Sequence, residues 1–226
     1  EGRAVPVAAG DPAALPVVSC GHIARSLSCV IVDPPSRSEQ PDGFVGEIWL
    51  QGDNVGRGYW GRAEETAHTF GGRLAATNEA GGHASGAALD RTWLRTGDLG
   101  FYLEGELYVV GRLADLVIVA GRSHYPHDIE ATAASASPLV RRGYIAAFTV
   151  PGEPLERLVI VAERATGTAR ADPAAAVAEI RTAVEDRHGL PVADVRVVPA
   201  GSIPRTTSGK LARLACRDAY VAGAFG

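Results

Sequence analysis

Short apolar runs separated by Gly, Pro and charged turns dominate the pattern of this chain. Residues 28–33 (SCVIVD) predict a strand that Pro34 and Pro35 close. A polar, Pro-bearing turn region follows at 34–43, and residues 45–50 (VGEIWL) alternate enough for a second strand. Phe101 and Tyr102, then Leu107, Tyr108, Val109 and Val110, are apolar runs split by Glu104, Gly105 and Glu106, which is a hairpin signal. Leu116, Val117, Ile118 and Val119 form a further run that a glycine loop at Gly121 ends. Arg95, Asp98, Arg112 and Asp115 sit where the chain enters or leaves these strands, and functional groups are displayed at such ends.

Residues 62–70 predict a short helix, and residues 71–91, rich in Gly, Ala and small polar side chains, predict a surface loop in which His83 is simply solvated. Residues 1–16 have neither helical nor strand period and read as loop or fraying terminus. After Arg112 the pattern changes to alternating strand and helix. Pro126 pre-sets the first turn of a helix whose positive end suits Asp128 and Glu130. Residues 143–150 and 158–162 predict strands. Asp172 is an N-cap before Pro173, Val177, Ile180 and Val184 mark one apolar face, and Gly189 with Pro191 stops that helix. A short strand at 195–198 precedes a last helix expected from Ser208 onward. The change of pattern near Leu113 divides the chain into 1–112 and 113–226, a β-rich part and a small α/β part, so the expected fold class is α+β.

With 226 residues, 46% hydrophobic and 21% charged, the chain can bury a core in one domain or two small ones. A net charge of -4 and an isoelectric point near 5.9 give no basic footprint for nucleic acid. No apolar run approaches the roughly 18 residues of a membrane span, and no signal-peptide pattern opens the chain. Cys20, Cys29 and Cys216 are odd in number and lack metal spacing, which suits thiols in a reducing, cytoplasmic setting. His124 and His127 stand three apart with no third ligand nearby, so no metal site is assigned to them.

Several motifs then occur in a fixed order. Arg95, Thr96, Gly97 and Asp98 read RTGD, and Gly111, Arg112 and Asp115 fit GRxxD. Residues 121–130 (GRSHYPHDIE) parallel GRNHYPQDIE, with Ser123 in place of Asn and His127 in place of Gln. Gly58, Tyr59 and Trp60, followed by Glu64, Glu65, Thr66 and Phe70, parallel GYW…PEET…F with Ala63 where Pro is usual, and residues 204–210 (PRTTSGK) parallel a late lysine motif. From about residue 18 to 217 the chain therefore resembles the adenylate-forming enzymes, and at 121–130 it is similar to their fatty acyl-AMP ligase branch.

The resemblance implies a fold and a chemistry. Residues 1–112 correspond to the C-terminal, β-rich part of the family's large domain, and residues 113–226 to its small mobile domain. Adenylation joins a carboxylate to the α-phosphate of ATP and expels pyrophosphate, so positioned positive charge must offset the repulsion of two anions. Lys210 is the residue the family motif places on the bridging oxygens, with Gly209 allowing close backbone approach. Read alone, it is equally a solvated lysine beside a Ser-Gly turn. Its expected place in the first helical turn after an N-cap at Ser208 opposes the dipole by about 0.3–1 kcal/mol, which a helix built only for stability avoids.

The resemblance implies that Asp98 is a carboxylate accepting from both ribose hydroxyls; read alone, it is an Asp serving its own turn. Arg112 resembles the family arginine that meets ribose and phosphate; read alone, it pairs with Glu104 or Asp115 at the surface. Thr96 and Gly97 shape the turn. Residues 111–115 resemble the hinge between two half-reactions, where the usual Asp or Lys is replaced by Ala114, a departure that removes a charged handle from the pivot.

No glycine-rich phosphate loop of the TSGSTGxPK kind and no YGxTE-type segment occurs, although the family uses these for ATP, the acyl pocket and the Mg-associated Glu. The chain is thus expected to be part of a larger ligase and not to catalyse without the missing N-terminal region. Its expected cofactors are ATP and Mg, and its expected partners a fatty acid and an acyl carrier protein. An acyl-CoA synthetase using CoA, and a non-catalytic module that binds a carrier or a partner ligase, are the alternative readings.

Overall fold

The computed structural model describes residues 2–8, 10, 11, 14, 16–84, 87, 91–153, 155–168 and 170–226. Parts of the loops expected at 1–16 and 71–91 lie outside the described residues. The chain divides into two units, Glu1–Ala114 and Asp115–Gly226.

The first unit is a four-stranded antiparallel sheet of β1 (Leu27–Val32), β2 (Gly46–Gly52), β3 (Leu94–Leu103) and β4 (Glu106–Arg112), in that spatial order. Alternation sends Cys29, Ile31, Ile48, Tyr102 and Leu107 into one apolar cluster and Val30, Val32, Trp49 and Trp93 into another. Burial on both faces explains the unbroken run of β1, since each alternate side chain meets a core. Helix α1 (Ala63–Phe70) has no buried residue, and its Arg62–Glu65 pair at 2.9 Å is exposed and contributes little.

His83 differs from expectation. Its ring stacks on Tyr102 with centroids 3.8 Å apart, and its Nε2 meets Asp42 Oδ1 at 2.8 Å. Buried Glu39 is the cause: its carboxylate accepts from the backbone N–H groups of Asn78 (2.8 Å), His83 (2.6 Å) and Ala84 (3.0 Å), which fixes this stretch against the sheet.

The second unit opens after a single 3-10 turn at Leu113–Asp115, with the hairpin of β5 (Val117–Val119) and β6 (Arg122–His124). It continues through α2 (Pro126–Ala136), β7 (Val140–Val150), β8 (Arg157–Arg164), α3 (Pro173–His188), β9 (Val192–Val198) and α4 (Arg213–Val221). Its sheet has the order β7-β8-β9, antiparallel then parallel, and α3 is the crossover that the parallel pair requires. One face packs Leu158 and Ile160 with Ile129 of α2 and Ile180 and Val184 of α3, while Val159 and Val161 pack with Cys216 of α4. Full burial of a side chain such as Ile180 stabilises by about 1.5–3 kcal/mol. Asp172 accepts from the Ala174 N–H at 2.9 Å and caps α3, which ends at Gly189. Among the described residues no helix is long and apolar enough to cross a membrane.

Three further expectations are corrected. Asp98 lies within β3 and not at a strand end: between two paired positions β2 advances two residues while β3 advances four, so residues 96–98 bulge from a continuous strand. The stretch after Gly121 is strand β6 and not only a loop, because Val117 and Val119 of its partner are buried and anchor a polar strand. The last helix starts at Arg213 and not at Ser208. Gly209 has φ +79°, a left-handed conformation that no first helical turn accommodates.

Candidate functional site

The bulge in β3 displays Asp98 beside the last residue of β4. Asp98 and Arg112 are register partners, and Arg112 Nε donates to Asp98 Oδ1 at 2.8 Å. Both stay open to solvent, with side-chain exposures of 40% and 64%. Asp98 is thus a partner of Arg112 within the sheet.

The bulge is built from below by groups that the motif does not include. Thr96 Oγ1 donates to the Ile48 carbonyl at 2.7 Å and accepts from the Asp98 N–H at 3.0 Å. Gly97 holds φ +71°, and its N–H donates to Glu47 Oε1 at 3.1 Å. Glu47 is 2% exposed and also accepts from Trp49 Nε1 at 2.8 Å and Arg95 Nε at 3.4 Å. The sequence signal for it was an acid inside the apolar string VGEIWL, since a buried carboxylate needs donors.

Lys210 belongs to the second unit, in a tight hairpin-like loop ahead of α4. The Thr206 N–H donates to the Lys210 carbonyl at 2.8 Å, the Lys210 N–H to Thr206 Oγ1 at 3.0 Å, and the Gly209 N–H to the Thr206 carbonyl at 2.8 Å. Lys210 is exposed, and among the described residues no side chain pairs with its ammonium. The expected conflict with a helix dipole does not arise, because α4 begins three residues later.

Both stems of this loop are anchored inside the same unit. Upstream, buried Glu163 accepts from the Ile203 N–H at 3.0 Å. Downstream, Arg213 forks onto Glu130 through Nε (2.7 Å) and Nη2 (2.8 Å), and its Nη1 donates to Asp115 Oδ2 at 3.0 Å. The hydrogen bond to Glu130 is the largest influence holding the Arg213 guanidinium above its ordinary pKa. Asp115 and Glu130, which the motifs GRxxD and YPHDIE supply, are therefore structural partners of Arg213. Ala114 is the last residue of the first unit, and the division follows it directly.

No protein-family model matches the chain. Long-chain-fatty-acid–AMP ligase FadD32 of Mycolicibacterium smegmatis is 46% identical over the whole chain, which spans 39% of that protein's length. Among solved structures, one from studies of fatty acyl-adenylate ligases of E. coli and L. pneumophila matches with a TM-score of 0.75 at 27% identity, over 100% of this chain and 36% of its own. McyG A-PCP complexed with phenylalanyl-adenylate matches with a TM-score of 0.73 at 25% identity, over 93% of this chain and 34% of its own. Sequence and fold agree: the chain belongs to the adenylate-forming enzymes and corresponds to a C-terminal portion of one on the fatty acyl-AMP ligase branch.

Proposed function

We propose that this chain supplies the ribose clamp and the adenylation lysine of a ligase that joins a fatty acid to AMP and passes the acyl group to an acyl carrier protein. The observation that carries the reading is the Asp98–Arg112 pair, two exposed groups of opposite charge held 2.8 Å apart on adjacent strands. A carboxylate so held accepts from two vicinal hydroxyls, and the guanidinium beside it suits phosphate.

In the proposed reaction a fatty-acid carboxylate oxygen attacks the α-phosphorus of ATP, and the bond to the bridging oxygen breaks as pyrophosphate leaves. Two negative groups repel as they approach, and charge builds on the non-bridging oxygens of the phosphorus centre and on the departing pyrophosphate. Lys210, on a loop closed by its own hydrogen bonds and with an ammonium that no described side chain pairs, supplies the compensating charge. Ala114, where the units divide, is the proposed pivot between adenylation and acyl transfer. Transfer to a carrier finds support in the McyG A-PCP neighbour, and the fatty-acid substrate in the FadD32 relative.

Magnesium is implied by the family but does not fit these residues. Asp98 is the acid at this site and already meets Arg112, and among the described residues no three His, Cys, Asp or Glu gather. Because the chain spans 39% of FadD32, it is proposed to be inactive alone.

The test uses a ligase containing this chain, supplied with fatty acid, ATP and either holo acyl carrier protein or CoA. Acyl-carrier product and an ATP KM raised by Asp98→Ala support the reading. CoA-dependent AMP release overturns the acceptor, and an unchanged ATP KM overturns the clamp.

A further inference from the structure

One aromatic ring ties the Lys210 loop to the first residues of β7. The Cζ of Arg141 lies 3.3 Å and that of Arg205 3.7 Å from the ring centroid of Tyr144. Arg205 then grips two carbonyls: its Nη1 donates to Gly209 O at 2.5 Å and its Nη2 to Gly143 O. Arg141 in turn faces Glu163, with Nη1 3.6 Å from Oε2. That oxygen is buried and has no hydrogen bond, so the nearby guanidinium charge is what compensates it.

Two guanidinia brought to one ring repel each other. The arrangement holds because the ring quadrupole attracts both cations and Glu163 offsets one of them. The consequence falls on the loop. Gly209 is the residue before Lys210, and its carbonyl is pinned by a side chain that is itself stacked in place.

Resting on the adenylation reading of Lys210, we propose that Tyr144 is a positioning residue: by stacking Arg205 onto the Gly209 carbonyl, it sets the geometry from which Lys210 reaches substrate. Misplacement of a reacting group by about 1 Å lowers the rate by up to about a hundredfold. Tyr144 therefore acts on the rate of adenylation and not on nucleotide affinity.

The test has two parts. In this chain, amide hydrogen exchange at Gly209 and Lys210 is followed in Tyr144→Leu, Tyr144→Phe and Arg205→Lys. Loss of the ring, or of the planar guanidinium, speeds exchange at both amides, whereas Tyr144→Phe matches the parent. In a ligase containing the chain, Tyr144→Leu lowers kcat for fatty-acid-dependent pyrophosphate exchange between about tenfold and a hundredfold. KM for ATP and acyl transfer from supplied acyl-AMP stay unchanged, and Tyr144→Phe restores the rate. Unchanged exchange protection in both Tyr144→Leu and Arg205→Lys overturns the proposal. So does an undiminished kcat in Tyr144→Leu when Lys210→Ala abolishes turnover. If Lys210→Ala itself keeps full rate, the adenylation reading fails, and the exchange data alone then decide whether Tyr144 orders the loop.

Discussion

Glu47 of β2, 2% exposed, accepts a hydrogen bond at 3.1 Å from the backbone N–H of Gly97, one residue before Asp98. A buried carboxylate thus fixes the bulge that displays the proposed ribose clamp. Glu47→Ala strands the Gly97 N–H, Trp49 Nε1–H and the Arg95 charge together. The expected loss is about 1–3 kcal/mol of stability in denaturant unfolding, with a smaller loss for Glu47→Gln. Equal stability of parent and Glu47→Ala contradicts the role.

Arg213 is the corresponding anchor in the second unit. Arg213→Met leaves Glu130, whose side chain is 12% exposed, without its cation and costs about 3 kcal/mol. Arg213→Lys keeps the charge but cannot reproduce the fork, so it recovers only part. Combining Arg213→Met with Glu130→Gln gives less than the sum of the two losses, because the stranded charge is gone. Strict additivity in a double-mutant cycle contradicts the coupling.

Acid weakens the second unit through two histidines. Burial, followed by the Arg122 charge, holds His124 below its ordinary 6.5. Burial also lowers His188, although Asp128 pulls the other way. His188 Nε2 lies 2.8 Å from Thr132 Oγ1, whose own proton goes to the Asp128 carbonyl at 3.0 Å, so His188 donates there. A histidine depressed in the folded state stays neutral while the unfolded chain's takes a proton near pH 6.5. Stability is therefore complete above about pH 6.5, falls as pH drops through that value, and levels off below the folded pKa. Melting temperatures taken from about pH 7.5 to about pH 5 are expected to decline, less steeply in His188→Gln. A rise on acidification contradicts this sign.

Periodicity made most elements legible, because apolar side chains at a spacing of two or of three to four mark buried faces wherever they fall. Ile180 and Val184 announced α3, and Cys29 to Val32 announced β1. Polar strand β6 stayed hidden, since Arg122, Ser123 and His124 carry no pattern and are held by the buried side chains of β5. Ser208 read as a cap only until Gly209 turned left-handed and the Thr206 hydroxyl took the Lys210 N–H. Asp98, Arg112 and Lys210 were visible through their motifs. Glu47, Tyr144 and Glu163 were not, because Gly97, Arg205 and Ile203, the groups they hold, lie tens of residues away along the chain and meet them only once it has folded.

Lys210 is the most direct test of the account. Its side chain is exposed, so Lys210→Met is expected to change stability by no more than about 0.5 kcal/mol. In a ligase containing this chain, fatty-acid-dependent pyrophosphate exchange by Lys210→Met is predicted to fall by roughly a hundredfold to a thousandfold. A folded Lys210→Met ligase that forms acyl-AMP at the parent rate would contradict the account.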